Sequence, residues 1–559
     1  MKTITRSISE LVRQSIVNHW ELPAFSDHNG NTYLYKDAAL RIKHIHALYK
    51  QHDIQKGDKV ALLGDNSSSW AIVYLSAITY GAVIVPILAD FYIEDIHHII
   101  NHSDSRMLFV SRECSEIIEM DRLKQVKAVF LLDPHRADSY SENIFHYYFE
   151  PSTLKTQPKE LISPQDITEN FIPKETTPNE LATIVYTSGT TGFSKGVALS
   201  HQSLCANVFY AQDRIRLTPG NTILSILPLA HAFGCSFEFL YPFTLGCHIT
   251  FLGKIPSPKI IINAFRDIRP SIVFCVPLII EKIYKKILDS FISKGPVNKI
   301  RTIPIFDKLF DAILRKKLLR IFGGNLIELV IGGAALNPEV EQFLYKIKFP
   351  FTVGYGMTEC GPLISYSRWE EHRPGSAGRV MGFLEAKVDS SDPENEPGEM
   401  LVRGVNVMNF YYKNETATAE ILDKDGWLRT GDFGVIDKDN YIYLRGRLKN
   451  MILGPSGQNI YPEEIENKLN TLPYILESLV AGSSGKITAY VYPDFEKTDN
   501  DKLSENELLK IIEENRKTLN SYLPAYSAVH KIKIAPEGFS KTPTKKIKRF
   551  LYESFISND

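Results

Sequence analysis

The sequence has few cysteines and no pattern among them. Six thiols, Cys114, Cys205, Cys235, Cys247, Cys275 and Cys360, are scattered without CxxC or Cys/His ligand spacing, which argues against a disulfide framework and for a reduced, cytoplasmic setting. An excess of one charge is also lacking. The 64 basic and 65 acidic residues leave a formal charge of −1, so no electrostatic argument points to nucleic acid as a partner. Internal repeats and low-complexity tracts are missing, and the first amphipathic segment carries Glu10 and Arg13 with no apolar core of a signal peptide. The stretch from Trp70 to Leu88 is 19 residues without a charge, long enough on paper to span a bilayer. Gly81 and Pro86 interrupt it; the half before Gly81 reads as a buried helix and the β-branched half after it as a buried strand. No basic flank sets a topology, so a membrane span is not expected.

What is present is an ordinary globular composition, 44% hydrophobic and 23% charged, over 559 residues, too long for one compact core. Residues 1 to about 150 alternate helical and apolar strand-like runs, which indicates α/β layering. Five prolines between Pro151 and Pro178 mark an irregular connection. The alternation then resumes, with strand-like runs at 222–227, 248–252, 271–276 and 326–331, and Asn337-Pro338 reads as a helix start. From Ser376 to about Tyr443, short runs between turn residues suggest a small β-rich subdomain. Beyond Leu448 a final unit has its own strand at Ile487 to Tyr492 and helix from about Ser504, as a separate α+β domain would.

The most informative stretch is Tyr186 to Val197, read Tyr-Thr-Ser-Gly-Thr-Thr-Gly-Phe-Ser-Lys-Gly-Val. It follows the buried run Leu181 to Val185. Gly189, Gly192 and Gly196 permit close backbone approach and positive φ, Thr187, Ser188, Thr190, Thr191 and Ser194 supply donors, and Lys195 a cation; such a loop wraps a polyphosphate. A Ser/Thr/Gly surface linker is the bland alternative. The stretch is no Walker A loop, because Ser194 stands where the second glycine belongs and Gly196 follows Lys195. Gly354 and Gly356 begin a dinucleotide fingerprint that Glu359 ends.

The twelve residues resemble the phosphate-loop signature of the adenylate-forming superfamily, which includes acyl-CoA synthetases, luciferases and peptide-synthetase adenylation domains. Further motifs follow in the family's order. Gly354-Tyr-Gly-Met-Thr-Glu359 resembles the second motif. There the resemblance implies an adenine face at Tyr355 beside Gly356, an α-phosphate hydroxyl at Thr358 and a Mg²⁺ ligand at Glu359. Taken alone, a Thr-Glu pair such as Thr358-Glu359 is more often a helix start. Asp425 to Gly434 is similar to the acyl-CoA synthetase pattern whose aspartate, here Asp432, accepts from the ribose hydroxyls. Arg445 to Asn450 resembles the superfamily hinge, with Arg447 on the ribose and Lys449 at the pivot. Ser456-Gly457 and Tyr461 to Glu466 resemble the segment lining the thiol channel for CoA, where Gly457 lets pantetheine pass.

Near the C-terminus Lys541 to Arg549 holds five cations. A solvated or lipid-facing basic patch is one reading; the resemblance makes Lys546 the lysine bridging carboxylate and α-phosphate, with Lys545 as its rival. His231 falls at the family's acyl-pocket wall and equally suits a core position. Gly332, Gly333 and Ala334 fall between the adenine and acyl pockets, Gly332 on the acyl side.

The resemblance therefore implies an α/β fold with a large N-terminal AMP-binding domain (1–446), built of layered α/β subdomains plus a β-rich one. A hinge (447–450) joins it to a small mobile α+β domain (451–559). It implies a catalyst of fatty-acid activation using ATP, Mg²⁺ and CoA, with Lys546, Thr358 and Glu359 as catalytic residues. The basic amphipathic segment between Tyr284 and Leu326, Phe322-Gly-Gly-Asn-Leu and the Gly454 to Pro462 region resemble bacterial long-chain fatty acid ligases. An adenylate ligase loading an acyl carrier protein and an inactive nucleotide-binding module remain alternatives, and peripheral membrane contact stays open.

Overall fold

The computed structural model describes residues 4–132, 146–147, 176–187, 194–253, 258–291, 304–453, 458–483, 486–541 and 547–552. Two mostly parallel sheets dominate the N-terminal part. One orders its strands as Phe410–Tyr411, Lys195–Ser200, Leu181–Thr187, Val83–Ile87, Lys59–Leu63, Ser105–Val110, Ala128–Leu131 and His146–Tyr147. The other runs Phe351–Val353, Glu328–Ile331, Ile272–Cys275, Thr222–Ser225, His248–Phe251, Pro23–Asp27 and Thr32–Leu34. The strands are short β-branched runs covered on both faces, which is why they read as continuous apolar blocks rather than alternating ones.

The uncharged run explains how the two sheets pack. Ser67 caps the helix Ser68–Tyr80 by accepting from the Trp70 amide at 3.1 Å, and Gly81, at φ 84°, ends it in the left-handed region that favours glycine. Twelve of its residues are buried. The helix touches Val83–Ile87 and Lys59–Leu63 of one sheet and Pro23–Asp27 of the other, so it is apolar all round because it lies between two layers. Trp70 and Tyr74 both set their rings against Phe239, at 6.2 and 5.6 Å, and Phe25 reaches Phe239 from the second sheet at 6.1 Å. The strand Val83–Ile87 is buried throughout. Among the described residues no helix is long and apolar enough to cross a membrane.

The expected β-rich region is a four-stranded antiparallel sheet, Leu384–Asp389, Gly398–Gly404, Leu428–Ile436 and Ile442–Arg447. The smaller C-terminal domain pairs Ile475–Ser483, Lys486–Pro493 and Val529–Ile534 under the helices Pro462–Leu469 and Glu505–Ser521. Its core of Ile460, Ile465, Leu469, Val480, Val491, Leu508, Ile512 and Leu519 is a cluster distinct from the N-terminal one. Ser504 and Glu507 form a capping box that starts the longer helix. Asn337 caps Pro338–Lys346 by accepting from Glu339 and Val340 amides at 2.9 and 3.4 Å.

One strand carries a charge type its surroundings oppose. Glu328 is 4% exposed; Tyr366 Oη donates to it at 2.7 Å and the Trp369 amide at 2.8 Å. These bonds favour the carboxylate, but burial outweighs them and pushes Glu328 up to about 7. An acid whose pKa is raised on folding contributes stability below its unfolded value that is lost as pH rises through the folded one. The parent protein is therefore expected to lose roughly 1–3 kcal/mol between about pH 4.5 and 7 from this group. Glu328→Gln should flatten that part of a urea-denaturation profile; an unaltered slope refutes the assignment.

Candidate active site

The two ends of the phosphate-loop stretch pair antiparallel, with Thr187 facing Lys195 and Tyr186 facing Gly196. Ser188, Gly189, Thr190, Thr191 and Gly192 lie outside the described residues. Gly196 departs from the expectation of positive φ: it is absent from the left-handed region. Its reason is steric, since a Cβ there would sit 3.0 Å from both the Tyr186 ring and Ile184.

A neighbouring strand completes this corner. Phe410–Tyr411 pairs with Lys195–Ser200, and the Tyr412 amide donates to the Gly196 carbonyl at 2.7 Å. Lys195 Nζ lies 5.0 Å from the Tyr411 ring centroid, while Tyr411 Oη donates to Glu359 Oε1 at 2.7 Å. Thr358 and Glu359, in the short turn Thr358–Cys360, are 7% and 8% exposed. The Met408 amide donates to the Glu359 carbonyl at 2.7 Å. Burial, then the adjacent Glu359, pushes the Tyr411 hydroxyl far above its ordinary range, keeping it a donor.

The second sheet delivers its residues from the carboxyl ends of two adjacent parallel strands, where open α/β sheets place ligands. Glu328–Ile331 leads into Gly332, Gly333 and Ala334; Phe351–Val353 leads into Gly354 and Tyr355, and the Gly354 amide donates to the Ile331 carbonyl at 2.9 Å. Gly356 admits no side chain, because a Cβ would lie 2.1 Å from the Pro362 carbonyl oxygen. Tyr355 is buried, and its hydroxyl donates to Asp432 Oδ2 at 2.7 Å. Arg447, directly across the ladder from Asp432, places Nε 3.1 Å from Oδ1, and that attraction raises the arginine further. Asp432 is itself 7% exposed.

On the other flank, His231 begins the turn Ala232–Gly234, its Nδ1 accepting from the Phe233 amide at 3.4 Å. It is half-buried and acts as a cap, a role in neither reading of the sequence. The ring that approaches Gly332 belongs to Phe233, 3.1 Å from where a Cβ would be, and it packs with Phe237 and Phe274. Glu238 holds the preceding segment from beneath: its Oε2 accepts from Ser225 Oγ, the Ile226 amide and the Leu227 amide at 3.0, 3.0 and 2.9 Å. Burial pushes its carboxyl well up.

Lys449 is exposed in the turn Leu448–Asn450, two residues after Arg447, while Gly457, Lys545 and Lys546 lie outside the described residues. Of the basic run, Lys541 pairs with Glu477, Arg549 with buried Glu466, and Lys548 lies 4.8 Å from the Tyr92 ring centroid across the two domains. Its described members are therefore engaged rather than a solvated patch. Tyr411, Phe233 and Glu238 escaped the sequence reading; a lone aromatic in an edge strand and an acid inside an apolar helix carry no local motif.

The class defined by this crevice is settled by comparison: residues 12–412 match the family model for AMP-binding enzymes, and the chain belongs to that family. It is 26% identical over 470 residues to a luciferin 4-monooxygenase of Photuris pensylvanica, covering 81% of this chain and 78% of the relative. It is 25% identical over 554 residues to a long-chain-fatty-acid–CoA ligase of Mycobacterium bovis, covering 90% and 88%. The fold is that of an anthranilate CoA ligase solved with anthranoyl-AMP, at TM-score 0.79 and 18% identity over 99% and 98% of the two chains.

Tyr411→Phe deletes one hydrogen bond to a buried carboxylate. It is expected to lower stability by about 1–2 kcal/mol and to weaken AMP binding in calorimetry, because Glu359 loses its fixed orientation. Equal affinity and melting temperature would show that Tyr411 does not position Glu359.

Proposed function

We propose that the chain activates a fatty acid with ATP and passes the acyl group to CoA. The observation that carries the reading is that Lys195 and Glu359 meet at Tyr411, while Tyr355 of the same motif as Glu359 bonds to Asp432, itself paired with Arg447. A cation at the end of a glycine-rich loop suits the β- and γ-phosphates, and a doubly held aspartate suits ribose hydroxyls. The fatty-acid assignment rests on the similarity to long-chain ligases and on the aromatic wall of Phe233, Phe237 and Phe274 beside Gly332.

The residues present fit a magnesium ion. No group of three His, Cys, Asp or Glu side chains that could hold a metal occurs among the described residues. Magnesium at nucleotide sites commonly uses one or two carboxylates plus phosphate and water oxygens, and Glu359 offers one. Bound there, the ion would offset charge on the triphosphate.

In the first half-reaction a carboxylate oxygen attacks the α-phosphorus as the bond to pyrophosphate breaks, giving acyl-AMP. Thr358 donates to the α-phosphate and Lys546 bridges both reacting groups, spreading the charge that builds there. In the second, the CoA thiolate attacks the acyl carbon and AMP leaves. Residues 1–446 form the nucleotide domain and 451–559 a unit that turns about 447–450, presenting Lys546 for the first step and the Gly457 segment for the second. The separate C-terminal core supports this division.

Incubation with ATP, palmitate and CoA tests the reading: AMP, pyrophosphate and palmitoyl-CoA are expected, and ADP formation excludes it. Acyl-AMP that ignores CoA but loads a carrier protein assigns the acceptor differently, and no turnover at all with intact AMP binding identifies a binding module. Lys546→Ala should slow adenylation roughly 10²- to 10³-fold while sparing thioester formation from supplied acyl-AMP. Equal losses in both half-reactions, or a larger effect of Lys545→Ala, would falsify that role. Lys449→Pro, which fixes φ near −65° in an exposed turn, should keep acyl-AMP formation and lose most thioester transfer. Unchanged rates in both steps would rule out a moving hinge there.

A further inference from the structure

The strand Lys195–Ser200 runs between two others, Leu181–Thr187 on one side and Phe410–Tyr411 on the other. Both neighbours are tied to the same short segment, residues 102–104, where the helix Ile93–His102 ends. From the first strand Tyr186 Oη lies 2.7 Å from His102 Nδ1, and the two rings meet edge to face at 5.8 Å. Gly196 makes this reach possible, because a Cβ there would lie 3.0 Å from Tyr186 Cζ, the ring carbon that bears the hydroxyl. Just past the second strand, Tyr412 Oη donates to Asp104 Oδ2 at 3.0 Å and Lys413 Nζ pairs with the same oxygen at 2.6 Å. Side chains alternate along an extended chain, so Tyr411 reaches Glu359 while Tyr412, the next residue, sets its ring 5.9 Å from that of His102.

The direction of the first contact is set by its surroundings. Burial, with the His98 ring stacked at 5.3 Å and Lys413 near, holds His102 below its ordinary value against the pull of Asp104, and burial raises Tyr186 far above its own. Near neutral pH the imidazole is therefore uncharged, and Nδ1 accepts from the phenol. Asp104 and Lys413 both hold left-handed backbone, at φ 56° and 52°, a conformation that residues with side chains keep only where their contacts demand it. Gln125 Nε2 donates to the other Asp104 oxygen at 3.0 Å. The segment 102–104 thus grips the strand of Lys195 through the neighbours on both its sides.

We propose that His102 is a positioning residue for Lys195, holding its strand through Tyr186 so that the ammonium group stands ready for the two outer phosphates of a nucleoside triphosphate; this rests on the phosphate-binding role proposed for Lys195 above. A packing role alone would affect every nucleotide alike. Positioning of Lys195 concerns only the phosphates that AMP lacks.

Calorimetric titration of the full chain with AMP or with α,β-methylene-ATP, both in the presence of Mg²⁺, tests the proposal. His102→Ala should weaken triphosphate binding roughly three- to tenfold, the worth of one hydrogen bond, and leave AMP binding unchanged. His102→Asn, whose side-chain oxygen can stand where Nδ1 does, should restore most of that loss, whereas His102→Gln, whose oxygen falls nearer the place of Nε2, should not. Tyr186→Phe should match His102→Ala, and the two together should be no worse than either alone. Equal weakening of both nucleotides, unaltered triphosphate affinity in His102→Ala, or rescue by glutamine as full as by asparagine overturns the proposal. If the alanine variant does not fold, the contrast between asparagine and glutamine decides by itself. Lys195→Ala tells this proposal apart from the role it rests on: if that variant binds the triphosphate as the parent does, both fall, and if it loses affinity where His102→Ala does not, only the positioning role falls.

Discussion

The hydrogen bond from Tyr411 to Glu359 ties together parts of the molecule that the sheets alone would leave separate. Tyr411 belongs to the edge of the eight-stranded sheet, beside the strand that begins with Lys195; Glu359 follows the last strand of the seven-stranded one. Both sheets rest on the same buried helix, Ser68–Tyr80, which sets their separation. With that separation fixed, one phenol spans from the end of the phosphate loop to the acidic residue. The crevice at the carboxyl ends of the strands thus has a cation and an anion at defined positions before any ligand arrives. Such preorganisation is what an electrostatic site requires, because the donors and charges need not move when a substrate binds.

Much of this was legible in the sequence, for identifiable reasons. Strands buried on both faces announce themselves as short β-branched runs, so Val83–Ile87 and Ile272–Cys275 fell where expected. The split of the uncharged run at Gly81 was readable because only a few residue types end a helix in the left-handed region. Asn337 was readable as a cap and a helix start was readable at about Ser504; both side chains serve backbone amides within the next three residues. What sequence could not give is contact between distant segments. Tyr411 matters only because its strand is placed next to Lys195, and Phe233 only because a turn brings it over Gly332. His231 was identified as a pocket or core candidate; that its ring nitrogen also serves a neighbouring amide is a contact no local motif announces. Gly196 was expected to bend and instead makes room for the Tyr186 ring.

Buried acids form a second theme. Glu238 and Glu328 sit in the N-terminal core and Glu466 in the C-terminal one, each accepting hydrogen bonds that stitch one segment to another. Burial raises all three carboxyls, but among the described residues Glu466 alone of them is ion-paired, with Arg549, so removing it also strips a buried cation of its partner. Glu466 and Arg549 also join the helix Pro462–Leu469 to the described end of the basic run.

Arg447 occupies two structures at once. It is the ion partner of Asp432 and the final residue of the strand Ile442–Arg447, immediately before the exposed turn Leu448–Asn450. If the connecting segment turns as proposed, a ligand that competes for the guanidinium at Asp432 Oδ1 acts on the residue that leads into it. Under that proposal, occupancy of the site and orientation of the C-terminal domain are linked quantities, and linkage is reciprocal: whatever favours one orientation alters ligand affinity by the same factor.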